Sequence, residues 1–528
     1  MNSSAIIDYL IEKGELIDEE LEKKISALSS DKYFSYEEKR EKLSQLLSKE
    51  LDDFDRNEFF ETFFPTIKND ARIIIRKSYE KTPLKRTFQD FVRYFNVRFK
   101  TLERMLKNRS ELSGLTSISR IRGKTDKEKV SVIGMILTMD ETKNGHIILE
   151  LEDLSGTIKV LINKDNKELM QIGKDLVLDE VIGIVGQASN EIIFSNAIIK
   201  PDVPLSKELK KSPQDNYAVF SGDIHFGSKV FMKQEFMKLL LWLNGKMGTL
   251  AQREMAKKVK YFFIVGDVIE GAGIYPGQEH DLEVEPVREQ YEMAAKYLSK
   301  VPSHIKIIIC PGNHDVGRIA EPQLPIDTEY AKSLWDMPNV IMVSNPSLVS
   351  IDATDNFSGL DVLMYHGGSL IYYSDAIPTI RAAGGQKASD DIMVHLLKMR
   401  HLAPTHGSTM YVPDVLEDAL AIDVIPDIFV TGHIHRAQSK SYRNVTCINS
   451  SSWTEITEDQ EKRGLEPQPG RAFVVSLKTR DVKVMNFGSG VDAKSVSDLK
   501  RQQQTKQAEK EKKIQEQHTK ETEQVKAV

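Results

Sequence analysis

Five polar motifs with metal-ligating side chains follow apolar runs between residues 217 and 436. Each run has the composition of a buried strand, and each leads into a turn, usually with glycine beside the polar residue. Carboxylates, imidazoles and amide oxygens suit Mn²⁺, Fe²⁺ or Zn²⁺, and no motif offers a thiolate. The side chains concerned are Asp223, His225, Asp267, Asn313, His314, His366, His433 and His435.

These residue types fit a centre with two divalent metal ions. Two such ions about 3.5–4 Å apart clamp the oxygens of a phosphoryl group during an in-line displacement. Asp267 can bridge both ions, and His314, left without a metal, can act as general acid beside the leaving oxygen. The remaining candidates form two sets, Asp223, His225 and His435 around one ion and Asn313, His366 and His433 around the other.

A single short motif of this kind carries little weight, because a histidine on an apolar strand is more often a packed or surface residue. Five motifs in one order, all at predicted strand ends, favour a complete ligand set over coincidence. Among the histidines outside the motifs, we interpret His280, His401 and His406 as supporting or surface residues.

The chain has 528 residues, enough for about three domains. Its 72 Lys and Arg against 78 Asp and Glu give a net charge of −6, which by itself argues against a nucleic-acid partner. Only two cysteines, Cys310 and Cys447, are present, so a disulfide framework and a cysteine-based zinc site are excluded. No membrane-spanning run or secretory signal is evident, and we expect a cytoplasmic protein with no membrane partner.

The mean charge conceals a basic segment. Between Ala71 and Arg109, twelve Lys and Arg face three acidic residues, a local charge of +9 that leaves −15 for the rest of the chain. Its middle indicates a linker, and its second half predicts an amphipathic helix with the aromatic stripe Phe91, Phe95 and Phe99. The stripe favours ordinary packing with a solvated charged face; a surface that follows a nucleic-acid backbone is the alternative.

The predicted fold is a multidomain α+β protein. Residues 1–70 indicate a helical module, 71–115 a basic linker and amphipathic helix, 116–205 an OB-fold β-barrel, 215–490 an α/β layered domain, and 491–528 a disordered tail. The strands predicted in the layered domain are Tyr217–Phe220, Tyr261–Val265, Ile305–Cys310, Val340–Val343, Val362–Tyr365, Ile428–Val430, Val445–Ile448 and Ala472–Leu477.

The motif order DxH, GDxxE, GNHD, H and GHxH resembles the calcineurin-like metallophosphoesterase superfamily, which implies an α/β sandwich. GDVIEG and GNHD depart from the forms that the Ser/Thr protein phosphatases carry, so that branch fits less well. Longer phrases resemble the small-subunit family of the archaeal D-family DNA polymerase: VIEGAGIYPGQEHDLE, MRHLAPTHGS, DVIPDIFVTGHIHRA and NVTCINSSSWTEIT, with FQDFVRYFNVRFKTLERML upstream.

The resemblance implies a proofreading subunit of a heterodimeric DNA polymerase, a 3′→5′ exonuclease that prefers single strands or mismatched 3′ ends. It implies Mn²⁺ as the usual ion, with Fe²⁺, Zn²⁺ and Mg²⁺ as alternatives, and a large polymerising subunit as partner; the sliding clamp is a further candidate partner. Carried over by motif, Asp267 and His314 are the catalytic residues, and the metal ligands are Asp223, His225, Asp267, Asn313, His366, His433 and His435.

One position departs from the family pattern. Gly368 follows the His366–Gly367 pair, where an arginine often stands, so contacts to the substrate phosphate are expected to differ. Two alternative functions stay open. A non-catalytic polymerase scaffold would bind no metal, and a repair nuclease of the double-strand-break class usually begins with the phosphoesterase motifs, whereas more than 200 residues precede Asp223 here.

Overall fold

The chain forms two compact units, Met1–Asp70 and Ala71–Val528. The computed structural model describes residues 6–7, 10, 17–30, 42–43, 45–47, 72–81, 84–121, 128–189, 191–457, 460, 465–488 and 494–495. In the first unit, helix α1 spans Glu19–Ser30 and carries three acidic residues in its first turn, where they suit the positive end of the helix dipole. Among the described residues of this unit, a small apolar cluster contains Ile6, Leu10, Leu21, Ile25, Leu43 and Leu47.

The second unit begins with a strand, β1 (Arg72–Ser78), in the segment that the sequence analysis assigned to a linker. β1 pairs antiparallel with residues 347–353 at the edge of a sheet. The linker prediction is therefore wrong at its start. Its basic side chains concealed the strand, although Lys and Arg are common on exposed edge strands, where they prevent further pairing.

Helix α2 (Phe88–Lys107) is the amphipathic helix that the sequence predicts. At its start, the Thr87 N–H donates to Asp90 Oδ2 at 2.7 Å, which caps the first turn. Its apolar face packs Phe99 and Leu102 against the barrel residues Ile133 and Val181. Phe99 thus serves the core, as the packing interpretation of the aromatic stripe expects.

Several cations of the basic segment pair with acids of the layered domain. Lys81 Nζ lies 2.8 Å from Asp414 Oδ2 and 2.7 Å from Glu417 Oε1, and Lys77 pairs with Asp423. These pairs neutralise much of the local charge on the protein itself, which weakens the alternative that the whole segment follows a nucleic-acid backbone.

A buried ion pair fixes α2 to the layered domain. Arg98 Nε lies 2.8 Å from Asp418 Oδ2, and neither side chain is exposed. Tyr94 donates its hydroxyl proton to Asp418 Oδ1 at 2.7 Å, and His401 Nε2 lies 2.8 Å from Oδ2. Burial would raise the pKa of Asp418, but the charges of His401 and Arg98 hold it well below its ordinary value.

Replacing Arg98 by methionine is expected to lower the free energy of unfolding by about 3–5 kcal/mol, because the Asp418 carboxylate would stay buried without its cation. Arg104→Met on the exposed face of the same helix is the matched control and should change little. Urea titration followed by circular dichroism measures both variants. Equal stability of the two would contradict the role assigned to this pair.

The barrel comprises five strands in the closed order β2-β3-β4-β6-β5, as predicted. Their bounds are β2 Glu128–Glu141, β3 Ile147–Asp153, β4 Gly156–Ile162, β5 Val181–Ser189 and β6 Ile192–Ile199, with helix α3 (Lys167–Lys174) after β4. The chain leaves the barrel through Asp202, whose N–H donates to the Lys398 carbonyl at 2.9 Å and whose Oδ1 accepts the Tyr442 hydroxyl at 2.9 Å. Both ends of the barrel segment are therefore attached to the layered domain.

The layered domain contains two sheets of six and seven strands, in the orders β1-β11-β12-β13-β15-β14 and β10-β9-β8-β7-β16-β17-β18. One apolar core holds residues of both sheets, such as Phe220 and Phe263 of one and Val362 and Val430 of the other, so the sheets face each other. The strand bounds are β7 Tyr217–Ser221, β8 Val259–Val265, β9 Lys306–Cys310, β10 Val340–Met342, β11 Ser347–Ala353, β12 Leu360–Met364, β13 Ile428–Thr431, β14 Gln438–Tyr442, β15 Val445–Asn449, β16 Arg471–Ser476, β17 Val482–Asn486 and β18 Lys494–Ser495.

Helices cover the outer faces of the two sheets. Phe236 and Tyr291 pack on the seven-stranded sheet, and Ile392 and Leu396 pack on the six-stranded sheet. The helix bounds are α4 Lys233–Leu243, α5 Leu250–Lys257, α6 Val287–Leu298, α7 Thr328–Trp335, α8 Leu370–Ala376, α9 Pro378–Ala382 and α10 Ser389–Met399. Within the described ranges, no helix is both long and apolar enough to cross a membrane.

All eight strands predicted for this domain are present, but the sequence analysis missed β11, β14, β17 and β18. β11 was missed because serine and aspartate interrupt its apolar pattern, although the whole strand is buried. Its Asp352 accepts a hydrogen bond from Asn216 Nδ2 at 2.7 Å, so the buried carboxylate has a partner. β18 lies inside the segment predicted to be a disordered tail; the remainder of that prediction falls outside the described residues.

Candidate metal centre

The candidate side chains sit in turns that follow parallel strands. β7, β8 and β9 run parallel in one sheet, and β12 and β13 in the other, and carboxyl ends of parallel strands are where α/β folds bind ligands. Five candidate ligands have left-handed backbones, a strained state that persists mainly at functional sites. They are Asp223, His225, Asp267, His433 and His435, with φ of 49°, 57°, 48°, 69° and 59°.

Asp223, His225 and His435 form a first cluster, with potential ligand atoms all within 4.8 Å of one another. Asp223 Oδ1 lies 3.4 Å from His435 Nε2, and the Nε2 atoms of His225 and His435 are 3.3 Å apart. The carboxylate is oriented by the His433 backbone N–H, which donates to Asp223 Oδ1 at 2.9 Å. This is the first of the two ligand sets that the sequence analysis predicts.

Asp267, His366 and His433 form a second cluster of the same dimensions. His366 Nε2 lies 3.3 Å from Asp267 Oδ2 and 2.9 Å from Asn313 Oδ1. His366 Nδ1 lies 3.0 Å from the Val265 carbonyl oxygen. Because a carbonyl oxygen can only accept a hydrogen bond, Nδ1 is the donor. Nε2 is therefore the nitrogen that faces the cluster, and the Asn313 amide oxygen lies beside it.

Asp267 lies between the two clusters. Its Oδ2 is 3.3 Å from His366 Nε2 and 3.8 Å from His225 Nε2, so one carboxylate reaches both groups, as a bridging ligand must. A third cluster of ligand distance contains His225, Asp267 and His314. Distance alone thus leaves His314 able to bind a metal, although the sequence analysis assigned it to acid catalysis.

The electrostatics of the cluster suit bound cations. Burial would raise the pKa of the Asp223 and Asp267 carboxyls, but the neighbouring imidazoles hold both below their ordinary values. Burial would lower the pKa of His366, yet the Asp267 carboxylate raises it to about 10, while burial lowers that of His433 to about 4. Two buried carboxylates among imidazoles are a suitable set of ligands for divalent ions. Without such ions, a proton on His366 offsets part of the carboxylate charge, and bound cations would replace that positive charge.

Glu270 belongs to the site, although the sequence analysis gave it no role. Its Oε2 lies 3.1 Å from His225 Nδ1, and its pKa falls to about 2 because the contact with His225 outweighs burial. This contact turns His225 Nε2 toward the cluster, as carboxylates do for metal-binding histidines. The signal was available, because Glu270 stands three residues after Asp267 in GDVIEG.

Asp315 is a second residue that was missed. Its Oδ2 accepts the backbone N–H groups of Val268 at 3.1 Å and Gly312 at 2.9 Å, and its Oδ1 accepts the Tyr291 hydroxyl at 3.0 Å. Burial, with the nearby Asp267 charge, raises its pKa to about 6. Asp315 therefore connects the turn after β8, which carries Asp267 and Glu270, to the turn after β9, which carries Asn313 and His314.

Glycine is required where the backbone passes against the two buried carboxylates. A Cβ on Gly312 would lie 2.2 Å from Asp267 Oδ1 and 2.5 Å from the Asp267 backbone nitrogen. A Cβ on Gly432 would lie 2.5 Å from Asp223 Oδ2. Neither carboxylate could keep its position beside a larger residue.

His280, His401 and His406 lie outside the three clusters. His280 is exposed, His401 is buried against Asp418, and His406 Nδ1 lies 2.6 Å from the Tyr411 hydroxyl oxygen. Trp453 is fully buried and donates its Nε1–H to Ser221 Oγ at 2.7 Å, so it supports the fold of the site.

Gly368, the departure noted in the sequence analysis, lies against a carboxylate. A Cβ at this position would be 2.8 Å from Glu321 Oε1 and 3.0 Å from Thr409 Oγ1. Glu321 is buried and accepts the Tyr365 hydroxyl at 3.1 Å. The space in which an arginine side chain would begin is therefore filled.

Comparison with known proteins assigns both domains to families. Residues 130–192 match the family described as OB-fold nucleic acid binding domain, and residues 225–440 match the family of the B subunit of DNA polymerases alpha and epsilon. The barrel is thus an OB fold, as predicted. A solved structure of the telomere capping protein Ten1 from Saccharomyces pombe overlaps 16% of this chain and 76% of that chain, with 24% identity and a TM-score of 0.12, which supports no further argument.

Relatives match most of the chain. The DNA polymerase II small subunit of Methanothermobacter thermautotrophicus is 40% identical over 73% of this chain and 77% of its own. Those of Archaeoglobus fulgidus and Thermoplasma acidophilum are 38% and 33% identical, over 79% and 92% of this chain and 80% and 93% of theirs. The chain belongs to the family of DNA polymerase II small subunits, which confirms the family predicted from its motifs.

Proposed function

We propose that this protein pairs with a large polymerising subunit and acts as the 3′→5′ proofreading exonuclease of the complex, with a calcineurin-like phosphoesterase domain. The observation that carries the proposal is the pair of ligand clusters that share the Asp267 carboxylate. A scaffold that binds no metal has no need of two buried carboxylates surrounded by imidazoles, which are costly to keep. The OB fold supplies a surface of the kind that holds single strands.

Two divalent ions, with Mn²⁺ as the first candidate, would be held by the side chains that the motifs supply. Such ions act as Lewis acids on a phosphodiester and stabilise the charge that develops on its oxygens. The ligands of the first are Asp223, His225, Asp267 and His435, and those of the second are Asp267, Asn313, His366 and His433. Glu270 and the Val265 carbonyl orient two of the imidazoles.

His314 is placed to deliver a proton. Its Nδ1 lies 2.8 Å from the Glu270 carbonyl oxygen and therefore donates to it, which leaves Nε2 for the substrate. In the proposed reaction water attacks the last phosphodiester of the strand, the P–O3′ bond breaks, and His314 gives its Nε2 proton to the departing 3′ oxygen. The products are a nucleoside 5′-monophosphate and a shortened strand.

Replacing His314 by alanine should reduce exonuclease activity by at least about 10²-fold, the usual contribution of a general acid. The test is degradation of a single strand that carries a 5′ label, in Mn²⁺, with metal content measured in parallel. His280→Ala removes an exposed histidine and serves as the control.

Full activity of the His314 variant would refute the acid role. Loss of one bound ion would instead make His314 a ligand, as the third cluster permits. A parent protein that binds no Mn²⁺ and degrades no DNA, alone or with its partner, would favour the scaffold.

A further inference from the structure

A pocket of 420 Å³ is lined by residues that adjoin two candidate ligands along the chain, and it holds three cationic side chains and two carboxylates, Asp375 and Glu466. Its lining includes Arg381 of α9, Lys387 at the turn before α10, and Ile434 and Arg436 from the loop after β13. Glu466 forms part of the lining from the segment before β16. None of these side chains has a role in the proposed metal chemistry.

The pocket adjoins the site through the chain itself. Ile434 stands between the candidate ligands His433 and His435, and Arg436 follows His435 directly, so the pocket lies one residue from the cluster. The backbone N–H of Gln468 donates to the His435 carbonyl at 2.8 Å, which holds the Glu466 segment against the same loop. A group bound in the pocket would be a neighbour of a group bound at the metals.

A carboxylate links two of the cations. Glu466 Oε1 lies 2.7 Å from Lys387 Nζ, and its Oε2 lies 3.2 Å from Arg436 Nη1. A backbone phosphate presents two charged oxygens in the same way, and guanidinium groups bind phosphate and carboxylate with similar geometry. Glu466 is 57% exposed, so a competing anion from solvent can reach the same cations.

Arg436 has donor capacity that the protein does not use. Its backbone carbonyl accepts the Asn449 Nδ2–H at 2.7 Å, which fixes its position after the two histidines. Its Nη1 donates to Glu466, but its Nε is buried and has no acceptor among the residues that the structure describes. An unmatched buried donor is costly, and an anionic ligand that reached it would remove that cost.

We propose that Arg436, Lys387 and Arg381 form a binding subsite for a backbone phosphate of the DNA strand, in competition with Glu466. The proposal rests on the exonuclease function proposed above. In a 3′→5′ exonuclease the strand continues from the scissile phosphate only toward its 5′ end, so the subsite takes the next phosphate in that direction.

The first experiment measures DNA binding without turnover. The full-length chain in EDTA is titrated against a 5′-fluorescent single strand, and anisotropy is recorded at several salt concentrations. Arg436→Gln and Lys387→Gln should each weaken binding about 3- to 10-fold and reduce the salt slope by about one. Glu466→Gln should strengthen binding by a similar factor, because it removes the competing charge but keeps the size.

The Lys257–Glu254 pair is the matched control. Its Nζ–Oε1 distance is also 2.7 Å, and it lies on α5, outside the pocket lining. Lys257→Gln and Glu254→Gln should leave binding unchanged. Equal binding by the parent, the pocket variants and the controls, or no binding by the parent, would overturn the subsite; thermal denaturation confirms that each variant is folded.

The second experiment separates this proposal from the exonuclease function. The substrate is a DNA strand in which the phosphate next to the scissile one is replaced by a neutral methylphosphonate. Its degradation by the parent and by Arg436→Gln is measured in Mn²⁺. The parent should show a raised KM with this strand, and the variant should show no further increase. If the protein is an active exonuclease but the methylphosphonate and Arg436→Gln have additive effects, the subsite is rejected and the exonuclease function stands. If the protein has no activity but the pocket variants alter DNA binding in EDTA, the exonuclease function is rejected and the subsite stands.

Discussion

Replacing Asp267 by asparagine is expected to abolish the binding of both metal ions and to reduce exonuclease activity by about 10³-fold or more. The carboxylate reaches both clusters, with Oδ2 3.3 Å from His366 Nε2 and 3.8 Å from His225 Nε2. Asparagine keeps the size of the side chain but removes the charge that draws two cations into a buried site. Lewis-acid stabilisation is worth several kcal/mol, which corresponds to a rate factor of this order.

Metal content by mass spectrometry and the rate of single-strand degradation test this prediction together. Asp336→Asn, an exposed aspartate on the surface of the same domain, provides the control and should leave both quantities unchanged. A variant that lost activity but kept two ions would show that Asp267 acts on the substrate instead of bridging the metals. Retention of full activity would reject the proposed metal centre with Asp267 as its shared ligand.

Replacing Gly312 by alanine should cost almost as much, although glycine brings no functional group. The added methyl would lie 2.2 Å from Asp267 Oδ1 and 2.5 Å from its backbone nitrogen, so the bridging carboxylate must move. A displacement of about 1 Å at a reacting centre costs about 10²-fold on its own. Here the displaced group is the proposed shared ligand, and the loss should approach that of Asp267→Asn.

The control is Gly488→Ala, because a Cβ at that position would meet its nearest atom, Asn486 Oδ1, at 3.5 Å, an ordinary contact. Both variants are assayed for Mn²⁺ binding, strand degradation and thermal stability. We expect only the Gly312 variant to lose metal. If it bound Mn²⁺ as tightly as the parent, the close packing of Gly312 against Asp267 would not be required for metal binding.

Local pattern predicts the ligand-bearing turns because each follows a short, mostly apolar strand and contains glycine or a polar residue that stops it. The same reasoning misses β11, where Ser350 and Asp352 are polar yet buried. Their partners Arg76 and Asn216 stand more than 130 residues earlier in the chain, so no local window reveals that these groups are satisfied. Burial of polar residues through distant partners is a property of the whole fold.

The candidate site shows the same division. The metal-ligating residue types and their order are visible in the sequence, whereas the supporting contacts depend on which turns meet. Glu270 and Asp315 stand within the predicted motifs. Glu270 contacts the ring of His225, which comes from another turn. Asp315 accepts N–H groups from Val268, in another turn, and from Gly312, three residues earlier in its own. A pattern indicates which residues do chemistry more readily than which residues hold them.

The barrel is an insertion with two attachments. β1 and α2 precede it in the chain and are held by the six-stranded sheet and by Asp418, and Asp202 follows it and is held by Lys398 and Tyr442. A body fixed at both ends cannot swing about a single hinge. We therefore expect the distance from the barrel surface to the candidate metal centre to stay constant. Under the proposed exonuclease function, the number of unpaired nucleotides that spans this distance would be set by the protein and not by the strand.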